Sequence, residues 1–480
     1  MAFRRYLGVG YAAPCLAAEL LEPQLRGTRS RGRREERSDE AISSRVRQIR
    51  PQEWINQGRQ KRLGKGNMKH GNRQPKNMAF FGHFDSTNFG NEITLQAILY
   101  NLWRFQPDAE VLCVSTGPEA ATATHHVKAI PVAKRFIDQW RPRNPLSRLL
   151  RRVCIALPIE PYRWVNGLIS LWRVDVLVVP GTGLLTDAYG LLGWGPYNLF
   201  RWSLIAKLCR CKLLLVSVGA GPIYGVLGRW LVKSVLSLAD FRSYRDQSTM
   251  EWLARIGFKT DSDKVYPDLA FSLPQTVIPQ RGAVNSRRLV VGLGVMQCAG
   301  KYSVANPSDK TYLAYLDNLA TFVEWLLARG YYVRLLIGDL GDTNAKNYFR
   351  DLLRKRISAP DEERIVDEPI RSPDDLLLQI AATDLVVATR FHNVLLSLFC
   401  NKPVISISFH HKCESLMSSM GLSEYCLDLN NFDADQLSEK FCRLERNCEA
   451  VKSAISQKVI EFREALDYQY EIIFNEILSR

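Results

Sequence analysis

The chain has 480 residues, enough for two or three domains, and 64 Lys and Arg against 49 Asp and Glu set a formal net charge of +15. That excess is local: residues 1–77 hold 18 Lys and Arg against 7 Asp and Glu, a net of +11, which leaves +4 for the rest. A nucleic-acid-binding body is therefore excluded, and the seven histidines and eleven cysteines lack His-Glu-x-x-His or Cys-x-x-Cys spacing, so no metal site is expected.

The stretch around Arg26–Arg37 has little apolar periodicity and could not bury a core of its own, so residues 1–77 read as a disordered basic tail. It admits three accounts: a basic arm for RNA or anionic lipid, a signal peptide interrupted by Gly and Pro, or an over-extended reading frame that starts at Met68 or Met78. No apolar run is long enough to span a bilayer; Leu213 to Gly228 comes nearest but is broken by glycines and a proline. With scattered, unpaired cysteines, a cytoplasmic protein is expected.

From residue 78 short apolar runs alternate with amphipathic ones. Strands are expected at Met78–Gly82, Glu110–Ser115, Val174–Val179, Cys211–Val218 and Phe241–Tyr244, with helices at Glu92–Phe105, Tyr197–Leu208, Gly225–Leu238 and Ser248–Ile256. The polar, Pro-containing stretch Leu273–Arg287 reads as a linker. The rhythm then restarts, with strands at Arg288–Val295, Tyr331–Ile337, Arg364–Asp367, Asp384–Ala388 and Pro403–Ser408, and helices at Tyr312–Arg329, Ala345–Arg356, Pro373–Ala382 and His411–Met420. This is an α/β pattern with two domains in series, residues 78–275 and 288–432, followed by terminal helices over 433–480 that are expected to pack back across the cleft.

Several strand ends carry chemistry. After the first strand, Asn88-Phe-Gly90-Asn91-Glu92 opens a helix and offers backbone N–H groups to an anion or a sugar, though a plain capped turn fits as well. Gly181 and Gly183, then Gly219 and Gly221, follow two further strands and allow close approach of a ligand. Arg245 sits at the next strand end beside Asp246, a helix N-cap by type, and Asp268 reads either as a surface turn or as a catalytic carboxylate. The most telling cluster is Thr389-Arg390-Phe391-His392 after the apolar run 384–388, a fork-shaped cation next to a group that titrates near neutral pH. His392 as a helix-cap or core histidine is the structural alternative. No Gly-x-Gly-x-x-Gly, Walker or Gly-x-Ser-x-Gly pattern appears.

Taken in order, these motifs resemble the polysaccharide pyruvyl transferase family: Asn88–Glu92, Gly181-Thr-Gly-Leu-Leu-Thr-Asp187, Ser217-Val-Gly-Ala-Gly-Pro222, Arg245-Asp246, Tyr266-Pro-Asp268, Arg390-Phe-His392, and His411-Lys412 after the strand 403–408. The resemblance runs from residue 78 to about 430. It implies two Rossmann-like domains in a GT-B-like arrangement, phosphoenolpyruvate as donor with no cofactor, and a sugar or lipid-linked glycan as acceptor, with peripheral membrane association among its consequences. On this reading Arg390 and Arg245 bind the donor, and His392 acts as acid/base or as donor anchor. Asp268 and Glu92 activate or orient the acceptor, and the domain with Asn88, Asn91 and the glycine loops holds the sugar. The family turn usually carries Asp where this chain has Asn91. A nucleotide-sugar glycosyltransferase and a non-catalytic glycan-binding relative are the alternatives.

Overall fold

The structure, a computed structural model, describes residues 76–85, 87–133, 144, 157–188, 190–191, 195–279, 289–297, 310–409 and 411–479. The tail up to residue 75, part of the linker and His410 lie outside the described residues.

Two parallel sheets form, each from an alternation of strand and helix. The first runs β1 (Asn77–Gly82), β2 (Glu110–Ser115), β3 (Lys128–Pro131), β4 (Val176–Pro180), β5 (Lys212–Val218), β6 (Phe241–Tyr244) and β7 (Lys264–Val265), in the spatial order β3-β2-β1-β4-β5-β6-β7. The second comprises β8 (Val290–Gly294), β9 (Tyr332–Leu336), β10 (Ile365–Val366), β11 (Leu385–Ala388), β12 (Val404–Ser408) and β13 (Cys426–Asp428), ordered β10-β9-β8-β11-β12-β13. Each sheet therefore reverses direction once, between β1 and β4 and between β8 and β11. Such switch points open a crevice at the carboxyl ends of the strands.

Burial explains the strand sequences. In β1, Met78 and Phe80 face one apolar cluster while Ala79 and Phe81 face the other, so a continuous apolar run is needed rather than an alternating one. The cluster that holds Met78 and Phe80 continues into the second domain through Val291, Leu293 and the helices around them. Both sheets lie within one compact unit. The short pieces β3, β7 and β13, edge strands of two to four residues, are not legible in the sequence.

The helices are α1 (Phe89–Phe105), α2 (Pro118–His125), α3 (Leu157–Leu171), α4 (Pro196–Leu208), α5 (Val226–Leu238) and α6 (Gln247–Arg255) in the first domain. Those of the second, apart from a four-residue helix at Ala359–Glu362, are α7 (Lys310–Ala328), α8 (Thr343–Arg356), α9 (Pro373–Ala381), α10 (Phe391–Phe399) and α11 (His411–Ser419). Then α12 (Ala434–Arg446) and α13 (Cys448–Glu471) close the chain.

The terminal helix does return to the first domain. Arg463 donates to the carbonyls of Phe271 and Leu273 at 3.2 and 2.6 Å, Gln469 donates to Ser243 at 2.7 Å, and the Phe105 and Phe474 rings stack at 4.9 Å. At the mouth of the crevice the domains touch again: Asn88 Nδ2 donates to Asp339 Oδ2 at 3.0 Å, and the backbone N–H groups of Phe89 and Leu340 bond across to Gly338 and Thr87. The two domains are thus joined both through the terminal helix and through the loops after β1 and β9.

Candidate functional site

The first domain contributes three loops. Asn88 is the N-cap of α1, its side chain accepting from Asn91 N at 3.3 Å, and Asn91 occupies the first turn, partly exposed. The glycines of the next two loops make room for cations. A Cβ on Gly183 would lie 2.7 Å from Lys412 Nζ, and one on Gly219 would lie 2.8 Å from an Arg245 guanidinium nitrogen. Gly181 takes a positive φ of 25° against Thr94, a backbone that favours glycine, and Gly221 abuts Thr186. Gly90 is the tightest case, since a Cβ there would fall 1.9 Å from the His392 ring. First-domain turn and second-domain imidazole are therefore in direct contact.

Arg245 leaves the end of β6 and is almost fully buried. It donates to Asp268 at 3.2 Å, and its Cζ lies 4.7 Å from the centre of the Phe391 ring. One of its terminal nitrogens (NH2) makes no hydrogen bond among the described residues. Asp246 caps α6 through Thr249 N at 2.7 Å, as its residue type suggests. Asp268 is buried, so the surface-turn alternative fails. Its carboxylate caps the turn at 269–272 through Ala270 N and pairs with Arg245, and burial pushes its pKa up against the opposing pull of that guanidinium. Asp268 holds Arg245 rather than facing open solvent.

From the second domain, Arg390 precedes α10 and is clamped in a two-pronged ion pair by Asp342, at 2.6 and 2.7 Å. Asp342 is fully buried and also accepts from Gln297 N at 3.0 Å. His392, in the first turn of α10, is partly enclosed. Burial first, then the charges of Arg245, Arg390 and Lys412, hold its pKa down to about 3. The imidazole is therefore neutral at ordinary pH. Lys412, at the start of α11, is brought down to about 8, first by burial and then by Arg245, with Asp246 opposing. His411 is similarly lowered to about 4 by burial and by Lys412.

Glu92 does not join this group. It is 0 % exposed and bonds His125 of α2 at 2.5 Å, inside the first domain. The acidic residue of the turn is turned inward, where it ties α1 to α2. Replacing Glu92 with Ala is expected to cost about 3 kcal/mol of stability by breaking that enclosed pair, while turnover per folded molecule stays within a few-fold. A chemical-denaturation curve beside an assay checks both, and a large loss of turnover at unchanged stability would restore a catalytic role.

Lys412 and Asp342 are the site residues that sequence reasoning missed. Lys412 stood in a recognised motif, but its closeness to Gly183 is tertiary information. Asp342 lies six residues beyond the end of β9 (Leu336), in a stretch with no distinguishing pattern. Among the described residues, no group of three or more His, Cys, Asp or Glu is placed to hold a metal ion.

Two doubly wound domains thus bring Arg245, Arg390, Lys412 and His392 together at the carboxyl ends of their strands. Solved structures of that architecture are similar to this chain. A putative UDP-N-acetylglucosamine 2-epimerase from Listeria monocytogenes matches with a TM-score of 0.54 at 13% identity, over 84% of this chain and 97% of its own. HepE of Anabaena in complex with UDP matches at 0.51 and 11%, over 82% and 99%. These likenesses establish the GT-B-like fold. The model of the polysaccharide pyruvyl transferase family matches residues 88–411, and the chain belongs to that family. The amylovoran biosynthesis protein AmsJ of Erwinia amylovora is 20% identical over 412 residues, covering 80% of this chain and 95% of AmsJ.

Proposed function

We propose that the protein moves a pyruvyl group from phosphoenolpyruvate onto two hydroxyls of one sugar in an exopolysaccharide or cell-surface glycan, closing a cyclic ketal. The observation that carries this reading is the convergence of Arg245, Lys412 and Arg390 on a neutral His392 in the interdomain crevice. A donor with a phosphate and a carboxylate needs several cations, and forked guanidinium groups suit both anions. Family membership and the name of the relative AmsJ support the glycan setting. The reading sets the enzyme in the cytoplasm, where phosphoenolpyruvate is made.

In this reading C3 of phosphoenolpyruvate gains a proton, which leaves C2 as an oxocarbenium. One sugar hydroxyl adds to C2 and loses its proton, the C2–O bond to phosphate breaks, and the second hydroxyl closes the ring with loss of its proton. Of the two hydroxyl protons, one balances that gained at C3 and the other leaves on inorganic phosphate. Donor binding brings negative charge among the three cations and so raises the basicity of His392, which then carries the proton between hydroxyl and C3. Asp268 and Asp342 orient the two arginines. Asn88, Asn91 and the glycine loops bind the sugar, Asn91 as a neutral hydrogen-bonding group rather than a base.

The test is incubation with phosphoenolpyruvate and a panel of glycans, soluble and lipid-linked, reading phosphate release and the mass of the product. Acceptor-dependent phosphate release with an added pyruvyl group is expected. Sugar transfer from a UDP-sugar, with phosphoenolpyruvate untouched, would overturn the reading.

A further inference from the structure

The helices α3, α4 and α5 lie side by side over one face of the first sheet. Their inner residues, Leu199, Trp202, Ile205, Val232 and Val235, fill its core. The outer side of α3 is unusual. Tyr162, Val165, Ile169 and Trp172 recur at helical spacing and point outward, with Ile169 70 % and Trp172 76 % exposed. On α5 and the turn before it, Tyr224, Val226, Leu227 and Trp230 are also exposed, Val226 at 83 %. An apolar face of this breadth is rare on a soluble surface that meets only water.

Its charge is one-sided. Between Glu160 and Asp240 the sequence has eight Lys and Arg against four acids, and each acid is engaged, Asp240 by Lys207 at 2.8 Å. Glu160 pairs with Arg163 and Arg201, Asp175 accepts from the backbone N–H groups of Lys76 and Asn77, and Asp187 accepts from those of Tyr224 and Gly225. Arg173, Arg210 and Arg229 are exposed. A symmetric pairing of two copies through this face would set cations against cations. An anionic lipid surface instead complements it: apolar residues and Trp enter the headgroup boundary, and Arg meets phosphate.

The face is also wired to the crevice. Asp187, which holds the start of α5, belongs to the Gly181–Asp187 loop, and Leu185 of that loop bridges to Ala220. A glycan whose lipid anchor stays in the bilayer would thus be presented at the loops assigned to the acceptor.

We propose that the outer face of α3 and α5 seats the protein on an anionic membrane surface, so that the transfer reaction works on lipid-linked acceptors. Only the acceptor's identity rests on the proposed function; the membrane contact stands apart from it. The full-length protein and an Ile169→Asp/Trp172→Asp variant are sedimented with vesicles of phosphatidylglycerol and of phosphatidylcholine. The wild type is expected to bind the anionic vesicles, and the variant at least tenfold more weakly, with unchanged turnover on a water-soluble acceptor. Equal binding by the two would assign attachment to the basic tail and overturn the proposal, as would a wild type that stays in the supernatant. A wild-type dimer in analytical ultracentrifugation that the variant dissolves would give the face to a second copy instead. Should the protein lack phosphoenolpyruvate turnover altogether, the vesicle result still tests the face.

Discussion

Replacing Arg245 with Ala is expected to lower kcat/KM for phosphoenolpyruvate by about 10²–10³-fold, the range for truncating one partner of a buried charged contact. The guanidinium is nearly enclosed, lies over Phe391, and keeps one terminal nitrogen without a hydrogen bond among the described residues, so its capacity is open to an incoming anion. The same change leaves the buried Asp268 carboxylate without its cation, at a cost of about 3 kcal/mol. Stability and turnover must therefore be separated. In the double variant Arg245→Ala/Asp268→Ala, stability should recover while turnover stays low. Steady-state kinetics beside urea denaturation would show this; a KM for phosphoenolpyruvate near the wild-type value in either variant would remove Arg245 from the donor site. Arg245→Lys should recover only part of the loss, because one ammonium cannot reproduce the fork.

For His392→Asn we expect a fall in kcat of about 10²–10⁴-fold, the usual range for an acid/base group. A second consequence follows from its low folded pKa. In the unfolded chain an imidazole takes a proton near pH 6.5, whereas in the folded protein His392 resists it down to about 3. Between those values the unfolded state binds more protons, so the wild type loses stability as pH falls from about 6.5 toward 3. The Asn variant should show a shallower loss over the same range, though His411, lowered to about 4, keeps part of the slope. Thermal melts from pH 7 to pH 4 measure it. An unchanged slope would mean that His392 titrates normally in the folded protein, and a kcat within threefold of wild type would leave it an anchor.

Much of this was legible in the chain because a parallel sheet buried on both faces demands continuous apolar runs, and such runs stand out. The strand ends were legible in part for the same reason: Arg390 and His392 come just after the apolar run 384–388, whereas Arg245 ends the mixed strand Phe-Arg-Ser-Tyr and was placed by the α/β rhythm around it. Glu92 shows the limit. In sequence it is one more polar residue in a glycine-bearing turn, and nothing local says that position 92 faces inward to His125 while Asn88, four residues earlier, faces Asp339.

By itself, then, the sequence determined the two α/β domains, the order of their loops and the confinement of excess charge to residues 1–77, since periodicity and composition are local properties. Tertiary structure alone decided which of the charged residues share one site. Lys412 comes within reach of the glycine loop, Asp342 clamps Arg390, and Asp268 is buried against Arg245, all through contacts between residues distant in the chain. It also decided the protonation of His392. An imidazole reads as titrating near neutrality until burial and three neighbouring cations, brought together only by the joined domains, hold it neutral.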